Sequence, residues 1–188
     1  MGDHAVTSAA VDRSIERAAS LFGAARRPVS FSGAGLSAES GVPTFRDADG
    51  IGEWERHDPM ILASVSGFDA DPALVLRWYA HRRQRLAVAQ PNPAHRALAA
   101  VDMPHITQNV DDLLLDAGVP PHRLLRLHGT IREDRCHGDV DPTCPHRETA
   151  DPMQESPRQC PRCGGRLRPA VVWFGDCLLY TSPSPRDL

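Results

Sequence analysis

The segment from residue 131 to residue 168 constrains the fold most, because hydrophobic burial alone cannot stabilise it. It is rich in cysteine, proline, aspartate and arginine and has almost no apolar periodicity. A segment of this kind needs a metal or covalent cross-link to keep one structure. Within it, Cys160-Pro161-Arg162-Cys163 is followed by two glycines, so that one tight turn can aim both sulfurs at one ion. We therefore predict a small metal-stabilised module at residues 131–168.

The remaining metal ligands are expected upstream of this pair. Cys136 and Cys144 are the obvious partners, although the seven residues between them exceed the usual spacing of about two to four. His137 and His146 are the alternatives. The chain has five cysteines, and in a reducing compartment they fit metal ligands better than disulfides. The four cysteines Cys136, Cys144, Cys160 and Cys163 thus predict one structural zinc ion per chain, with no open position for catalysis.

Length and charge narrow the remaining possibilities. A chain of 188 residues can bury one core with an insertion, but not two ordinary domains. Its formal net charge of -3 argues against a nucleic-acid or anionic-membrane partner. No apolar run approaches the roughly 20 residues needed to span a bilayer, and the N-terminus lacks a signal-peptide core. We therefore expect a cytoplasmic protein with no direct nucleic-acid or membrane contact.

Outside the cysteine-rich segment, strands alternate with helices. Apolar spacing and helix-capping residues predict strands at 29–32, 105–107 and 124–127, and helices at 10–26, from Asp71-Pro72, from Asn92-Pro93 and at 111–117. Val171-Val172-Trp173-Phe174 is then expected to rejoin the sheet. Such alternation is typical of an α/β fold with a doubly wound, parallel, Rossmann-like sheet. The cysteine-rich segment is its small zinc-binding insertion.

A glycine-rich segment follows the first predicted strand. Gly33-Ala34-Gly35 and Ala38 fit the dinucleotide fingerprint loosely and offer bare backbone amides to an anion. An ordinary glycine turn is the alternative, but it would not need the polar groups Ser37, Glu39, Thr44 and Arg46 that crowd the same loop. No second strand ends in an acidic residue at the distance expected of a dehydrogenase. We therefore favour dinucleotide binding without hydride transfer.

Two other strand ends carry polar side chains. Gln108-Asn109-Val110-Asp111 lies where open parallel sheets place ligand-contacting residues. The alternative is that Asn109 or Asp111 only caps the following helix. His128 ends the next strand beside Gly129, which would give a ligand access. It is a candidate general base, although a lone histidine there is more often structural.

Together these segments resemble the sirtuin family, the NAD-dependent protein deacylases. The resemblance covers residues 10–176 in family order and rests on GAGLSAESGVPTFRD from Gly33, TQNVDDL from Thr107, Leu127-His128-Gly129, the cysteine module, and Arg168-Pro169 leading to Val172-Trp173-Phe174-Gly175. It implies NAD-dependent removal of acetyl, succinyl or malonyl groups from lysines of acylated proteins or peptides, giving nicotinamide and O-acyl-ADP-ribose.

The resemblance also assigns roles to individual residues. It makes His128 the base, and places Asn109 and Asp111 at the reacting ribose. The NAD contacts that it implies are Gly33, Ala34, Gly35, Ser37, Ala38, Glu39, Thr44, Phe45, Arg46, Gln108, Asn109 and Asp111. It divides the chain into a Rossmann-like NAD-binding domain at 1–130 and 169–180, with a helical segment at 48–90 for cofactor and substrate, and a zinc module at 131–168.

The acyl group is expected to be acidic. Tyr79-x-x-Arg82 resembles the signature of the class III sirtuins, which remove succinyl and malonyl groups, and small Ala48 matches their roomier pocket. Helical spacing puts Tyr79 and Arg82 on one side, where they could converge on one anion. The alternative is a solvated basic helix face. Val172 and Phe174 complete the substrate contacts that the resemblance implies.

The C-terminal region departs from the family pattern. The family's C-terminal half of the sheet, which holds the adenosine, has no counterpart here, and residues 181–188 look like a non-native tail. We therefore expect a C-terminally truncated chain that binds NAD weakly. ADP-ribosyl transfer or NAD hydrolysis, and a zinc-stabilised binding module without turnover, are the alternative functions.

Overall fold

Parallel strands place the polar strand ends of the sequence at one edge of a sheet. The computed structural model describes residues 8–44 and 58–176. Strands β1 (Ser30–Ser32), β2 (His105–Thr107) and β3 (Leu124–Arg126) form a parallel sheet in the order β1-β2-β3. Ile106 of β2 pairs with Phe31 of β1 and with Leu125 of β3. Because the strands are parallel, the segments that follow them meet at the same edge.

Helices connect these strands. They are α1 (Ser8–Ala24), α2 (Gly35–Ala38), α3 (Pro59–Leu62), α4 (Val65–Ala70), α5 (Pro72–Val88), α6 (Pro93–Ala99) and α7 (Leu113–Asp116), with a 3-10 turn at Pro121–Arg123. The predicted starts of α5 and α6 are confirmed. The Asp71 side chain accepts a hydrogen bond from the Leu74 amide, and Asn92 accepts from the Ala94 and His95 amides. Each cap satisfies amides that the first helical turn leaves without partners.

A second sheet corrects the prediction for the C-terminal strand. Strands β4 (Gly129–Cys136), β5 (Arg147–Thr149) and β6 (Leu167–Val171) form an antiparallel sheet in the order β5-β4-β6. The prediction that Val171–Phe174 rejoins the parallel sheet is wrong, because the strand ends at Val171 and pairs with β4. Among residues 172–176, the described part of the chain after this strand, Phe174 makes a β-bridge to Ser64. All five residues of β6 are buried, and the strand is hydrogen-bonded to β4 rather than to a strand of the parallel sheet.

The main core lies between α5 and the antiparallel sheet. Apolar side chains of α3, α4 and α5 pack there against residues of β4 and β6 and the segment after β6, and the cluster comprises Leu62, Ala63, Phe68, Val75, Leu76, Trp78, Tyr79, Leu86, Ile131, Val171 and Trp173. Because β4 runs across residue 130, one strand joins this core to the cysteine-rich segment. The proposed division of the chain at 130/131 stays a prediction.

The apolar residues of α1 are not buried. Val11, Ile15 and Phe22 recur at helical spacing, yet each is exposed, as is Phe31 of β1.

No helix within residues 8–44 and 58–176 is long and apolar enough to cross a membrane.

Gly129 is required by close packing. Its φ of +77° lies in the left-handed region, and a Cβ at this position would lie 2.1 Å from the Ala170 carbonyl oxygen. We therefore expect Gly129→Ala to lower the free energy of unfolding by about 2–5 kcal/mol, from backbone strain plus overpacking. Denaturant unfolding measures this change.

Gly118 provides a matched control for Gly129. It also has a positive φ, +105°, but no atom lies within 4 Å of the position of an added Cβ. Gly118→Ala should therefore cost only the backbone strain, about 1–2 kcal/mol. Equal losses in the two variants would contradict the steric explanation.

Candidate functional site

The hydroxyl of Ser37 organises the carboxyl edge of the parallel sheet. Ser37 is fully buried in α2, and its Oγ donates to Asp111 Oδ2 at 2.7 Å. Asn109 Nδ2 donates to Ser37 Oγ at 3.2 Å, and His95 Nε2 lies 3.4 Å from Ser37 Oγ. Asn109 and Asp111 follow β2, and Ser37 follows β1. The structure therefore brings the segments that follow two different strands together at one hydroxyl.

His95 is a site residue that sequence reasoning missed. The amide of Asn92 donates to His95 Nδ1 at 3.3 Å, so the proton of the neutral ring lies on Nε2, which donates to Ser37. Burial lowers the pKa of His95, although the Asp111 charge acts in the opposite direction. With Asp111, Asn109 and His95 as partners, the hydroxyl of Ser37 uses its one hydrogen and both lone pairs. The only sequence signal was Asn92-Pro93, which we interpreted as a helix start.

Asp111 also fits the capping alternative. Its Oδ1 accepts from the Leu113 amide at the start of α7 at 3.0 Å, while its Oδ2 accepts from Ser37. One carboxylate therefore both caps the helix and orients the buried network. The next residue, Asp112, has φ of +60°, a left-handed conformation that Asp tolerates better than most residues. Its carboxylate accepts from Arg126 at 2.7 Å and from the Thr130 hydroxyl.

His128 lies at the same edge, after β3. Its Nδ1 is 3.1 Å from the Gln108 carbonyl oxygen. A carbonyl can only accept, so Nδ1 carries the proton and Nε2 keeps its lone pair. The His128 carbonyl accepts from the Val172 amide at 3.0 Å. His128 is thus fixed between the segment after β2 and the segment after β6.

The glycine segment forms one turn of helix, and part of it lies outside the described residues. A helix as short as Gly35–Ala38 adds little dipole to an anion site. Phe45, Arg46 and Ala48 lie outside residues 8–44 and 58–176. The predicted NAD-binding loop, Gly33 to Arg46, is therefore described as far as Thr44. Glu39 and Gln108 are exposed. Within the described ranges, the buried hydroxyls of Ser40 and Thr44 have no hydrogen-bond partner, which leaves them for a bound polar group.

The residues expected at the substrate are differently exposed. The hydroxyl of Tyr79 is buried and accepts from Trp173 Nε1 at 2.7 Å. Arg82 is half-buried, and its guanidinium carbon lies 4.5 Å from the Trp78 ring centre. Val172 is half-buried, and Phe174 is 54% exposed. The segment after β6 therefore carries an exposed aromatic side chain, Phe174, directly after the buried Trp173 that donates to Tyr79.

A buried ion pair holds that segment in place. Arg168 is 1% exposed, and its Nη2 donates to Asp176 Oδ1 at 2.6 Å and Oδ2 at 2.8 Å. The Trp173 amide donates to the same carboxylate at 2.9 Å, and the Arg168 guanidinium lies 4.2 Å from the Trp173 ring centre. The pair closes the loop between β6 and Asp176. Sequence reasoning quoted Arg168 in a motif but did not find this partnership.

The four predicted cysteine ligands converge. The sulfurs of Cys136, Cys144, Cys160 and Cys163 all lie within 4.8 Å of one another. The Sγ–Sγ distances are 3.4 Å for Cys136–Cys163 and 3.8 Å for Cys144–Cys160. Tetrahedral zinc with bonds of about 2.3 Å needs sulfurs about 3.8 Å apart. The cluster therefore has the donor set and the geometry of a closed structural zinc site.

The histidine alternatives have other partners. His137 Nε2 lies 3.0 Å from Asp69 Oδ1, and His146 Nε2 lies 2.9 Å from Glu148 Oε2.

Burial raises the pKa of Cys136 to about 12. Burial also acts to raise the pKa of Cys160, but hydrogen bonds from the backbone amides of Cys163 and Arg162 outweigh it and lower the pKa to about 7. The backbone amides of Cys163 and Arg162 therefore favour the thiolate form of Cys160.

Comparison with known proteins places this geometry in a family. The model of the Sir2 family matches residues 33–183. NAD-dependent protein deacylase 1 of Pseudomonas aeruginosa is 47% identical over 169 residues, covering 84% of this chain and 66% of that protein. The NAD-dependent protein deacylase of Methylococcus capsulatus is 48% identical over 164 residues, covering 82% of this chain and 63% of that protein. The chain thus spans slightly less than two thirds of these relatives.

Solved structures agree with the sequence matches. A Sir2 homologue bound to ADP-ribose superposes with a TM-score of 0.77 at 39% identity, covering 88% of this chain and 66% of that one. A Sir2 homologue in complex with NAD has a TM-score of 0.72, also at 39% identity, covering 87% of this chain and 63% of that one. The α/β fold of this chain, with its parallel sheet, is therefore shared with those proteins.

Proposed function

Because the chain belongs to the Sir2 family, we propose that it removes acyl groups from protein lysines in an NAD-dependent reaction. The products are nicotinamide, the free lysine and O-acyl-ADP-ribose. The relatives that match it are named NAD-dependent protein deacylases. Acylated proteins or peptides are the proposed partners.

The observation that carries this proposal is the buried network around Ser37. Asp111 and Asn109 are both hydrogen-bonded to Ser37 Oγ, at 2.7 and 3.2 Å, so their side chains are fixed before any ligand arrives. Fixed polar groups need no reorganisation during a reaction, which makes them effective at orienting substrate. A structural turn would not need a buried carboxylate, amide and imidazole on one hydroxyl.

The residues present fit an NAD molecule. The segment from Gly33 to Thr44 would hold it, and the buried hydroxyls of Ser40 and Thr44, unpaired among the described residues, are available to it. NAD supplies a glycosidic bond to a positively charged leaving group, which makes the ribose carbon electrophilic enough for an amide oxygen. Asn109 and Asp111 orient the nicotinamide ribose. Phe45 and Arg46, proposed beside them, lie outside the described residues.

His128 is the proposed general base. Its Nδ1 proton is donated to the Gln108 carbonyl, so Nε2 can accept a proton from a ribose hydroxyl. The His128 carbonyl also accepts a hydrogen bond from the Val172 amide, so the proposed base is held directly beside the segment proposed to bind substrate. Val172 and Phe174 are proposed to position the acylated lysine.

The preferred acyl group is proposed to be acidic. Arg82 lies three residues after Tyr79 on α5, and its guanidinium can bind a carboxylate with two parallel hydrogen bonds. The hydroxyl of Tyr79 accepts from Trp173 and keeps its own hydrogen for donation. Ala48, proposed to leave room for the larger acyl group, lies outside the described residues.

A product assay tests the proposed function. The complete protein that carries this sequence is incubated with NAD and a peptide carrying acetyl-lysine or succinyl-lysine. We expect nicotinamide, free lysine and O-acyl-ADP-ribose in equal amounts by mass spectrometry. Free ADP-ribose without lysine deacylation would indicate NAD hydrolysis, and ADP-ribose attached to protein would indicate transfer. If no nicotinamide is released with either peptide, the proposal is wrong.

A further inference from the structure

The arginines of α5 do not form one solvated basic face. Arg83 is 5% exposed and points towards the antiparallel sheet, where its Nε donates to the Ile131 carbonyl at 2.9 Å and its Nη2 to Asp134 Oδ1 at 2.5 Å. Arg82 and Arg85 lie on another side of the helix. Bonds of Arg83 to two groups of β4 fix the rotation of α5, so the direction in which Arg82 and Arg85 point is fixed as well.

Arg82 and Arg85 line one cleft between α5 and the end of the glycine segment. The cleft has cationic and apolar walls, and its described lining residues are Gly41, Val42, Pro43, Arg82, Arg85 and Leu86. The two arginines are three residues apart, the spacing at which helical side chains are neighbours. One cleft therefore presents two guanidinium groups beside an apolar surface.

Exposure increases along this row of α5. Tyr79 is 2% exposed, Arg82 is half-buried and Arg85 is exposed. With a rise of about 1.5 Å per residue, Arg85 lies about 4.5 Å further along the helix axis than Arg82 and about 9 Å further than Tyr79. The row thus leads from the buried Tyr79 hydroxyl to the surface, with Arg85 at the outer end.

We propose that Arg85 is a further specificity-determining residue, which together with Arg82 binds the carboxylate of a dicarboxylic acyl-lysine. This inference rests on the proposed deacylase function. The methylene groups of such an acyl chain match the apolar surface of Val42, Pro43 and Leu86. Its terminal carboxylate matches the two cations, since guanidinium groups bind carboxylates through paired hydrogen bonds. An acetyl group has no carboxylate and gains nothing from Arg85.

Arg77 supplies a matched control. It is an exposed arginine of the same helix and is absent from the described lining of the cleft. We compare Arg85→Met, Arg82→Met and Arg77→Met in the complete protein that carries this sequence. The substrates are succinyl-lysine and acetyl-lysine in one uncharged peptide, and acetyl-lysine in a peptide with flanking glutamates. The last substrate detects recognition of an acidic peptide rather than an acidic acyl group.

Arg85→Met should lower kcat/KM for desuccinylation about two- to fivefold, the range for an exposed charge pair. The half-buried Arg82 should matter more, about ten- to a hundredfold. In both variants the ratio of kcat/KM for desuccinylation to kcat/KM for deacetylation should fall, whereas Arg77→Met should leave both activities at the parent level. The effect of Arg85→Met should shrink in about 1 M salt, because exposed charges are screened.

Equal losses on both acyl groups, or a loss only on the glutamate-flanked peptide, would overturn the inference. Failure of the proposed function is recognised separately, because it abolishes turnover of every peptide by the unmodified protein. In that case the proposed carboxylate site is tested by the Kd of the succinylated peptide, measured for the Arg85→Met and Arg77→Met variants. Weaker binding by the Arg85 variant than by the Arg77 variant supports the site, and equal binding contradicts it.

Discussion

Cys160→Ser should bind much less than one equivalent of zinc and should unfold the segment at 131–168. Among the residues that the structure describes, the buried members of the cluster around the cysteines are Cys136, Cys160 and Leu167, with Cys144 and Cys163 packed against them. Structural zinc contributes about 10–16 kcal/mol of apparent binding free energy in small zinc-stabilised peptides. We therefore expect loss of one ligand to lower the free energy of unfolding by at least about 3 kcal/mol. Metal analysis and thermal unfolding measure the two effects.

A histidine variant provides the control for zinc binding. His146 was an alternative ligand, but it hydrogen-bonds to Glu148 at 2.9 Å. His146→Gln should keep one equivalent of zinc and nearly the same melting temperature, because the four sulfurs already complete the site. The zinc assignment fails if Cys160→Ser retains full zinc content and the parent melting curve, or if His146→Gln loses the metal.

The second large effect is expected at His128. Replacing it with alanine should lower kcat/KM for deacylation about 100- to 10,000-fold, the usual contribution of a general base. The fold should be little changed, because the contact that His128 makes with Val172 is through its backbone carbonyl. Steady-state kinetics with an acylated peptide, and a melting curve of the same variant, separate the two properties.

His122 is the matched control for this experiment. It is an exposed histidine in the 3-10 turn before β3, so its removal changes neither the site edge nor the core. His122→Ala should keep the parent activity. A loss of less than tenfold in His128→Ala would argue against its role as base, as would an equal loss in His122→Ala.

The sequence determined those parts of the structure that depend on short-range chemistry. Asp71-Pro72 and Asn92-Pro93 start helices because each cap satisfies amides within three residues. The Cys-x-x-Cys turn predicted a zinc site for the same reason. The wide spacing of Cys136 and Cys144 left the other ligands open, and the return of the chain after β4 brings the sulfurs of all four cysteines within 4.8 Å of one another.

The partner of the C-terminal strand could not be predicted from local sequence patterns. An apolar run such as Val171–Phe174 predicts burial, but it does not say against which strand. The run follows β6, which lies beside β4 because the chain folds back through the cysteine-rich segment. Pairing with the parallel sheet is the simpler expectation, and it is wrong because the partner strand, Gly129–Cys136, lies mostly in a segment whose weak apolar periodicity does not predict a strand.

By itself, the sequence determined the family motifs, the parallel strands, the helix starts and the Cys-x-x-Cys turn, since each is written in adjacent residues. Only the tertiary structure decided which side chains share an atom or a cleft. Ser37 meets His95 and Asp111 across 58 and 74 residues, and Trp173 meets Tyr79 across 94. The division of the α5 arginines between the sheet and the cleft was decided in the same way. Contacts between residues so distant in the chain depend on how whole elements pack, and no local pattern encodes that packing.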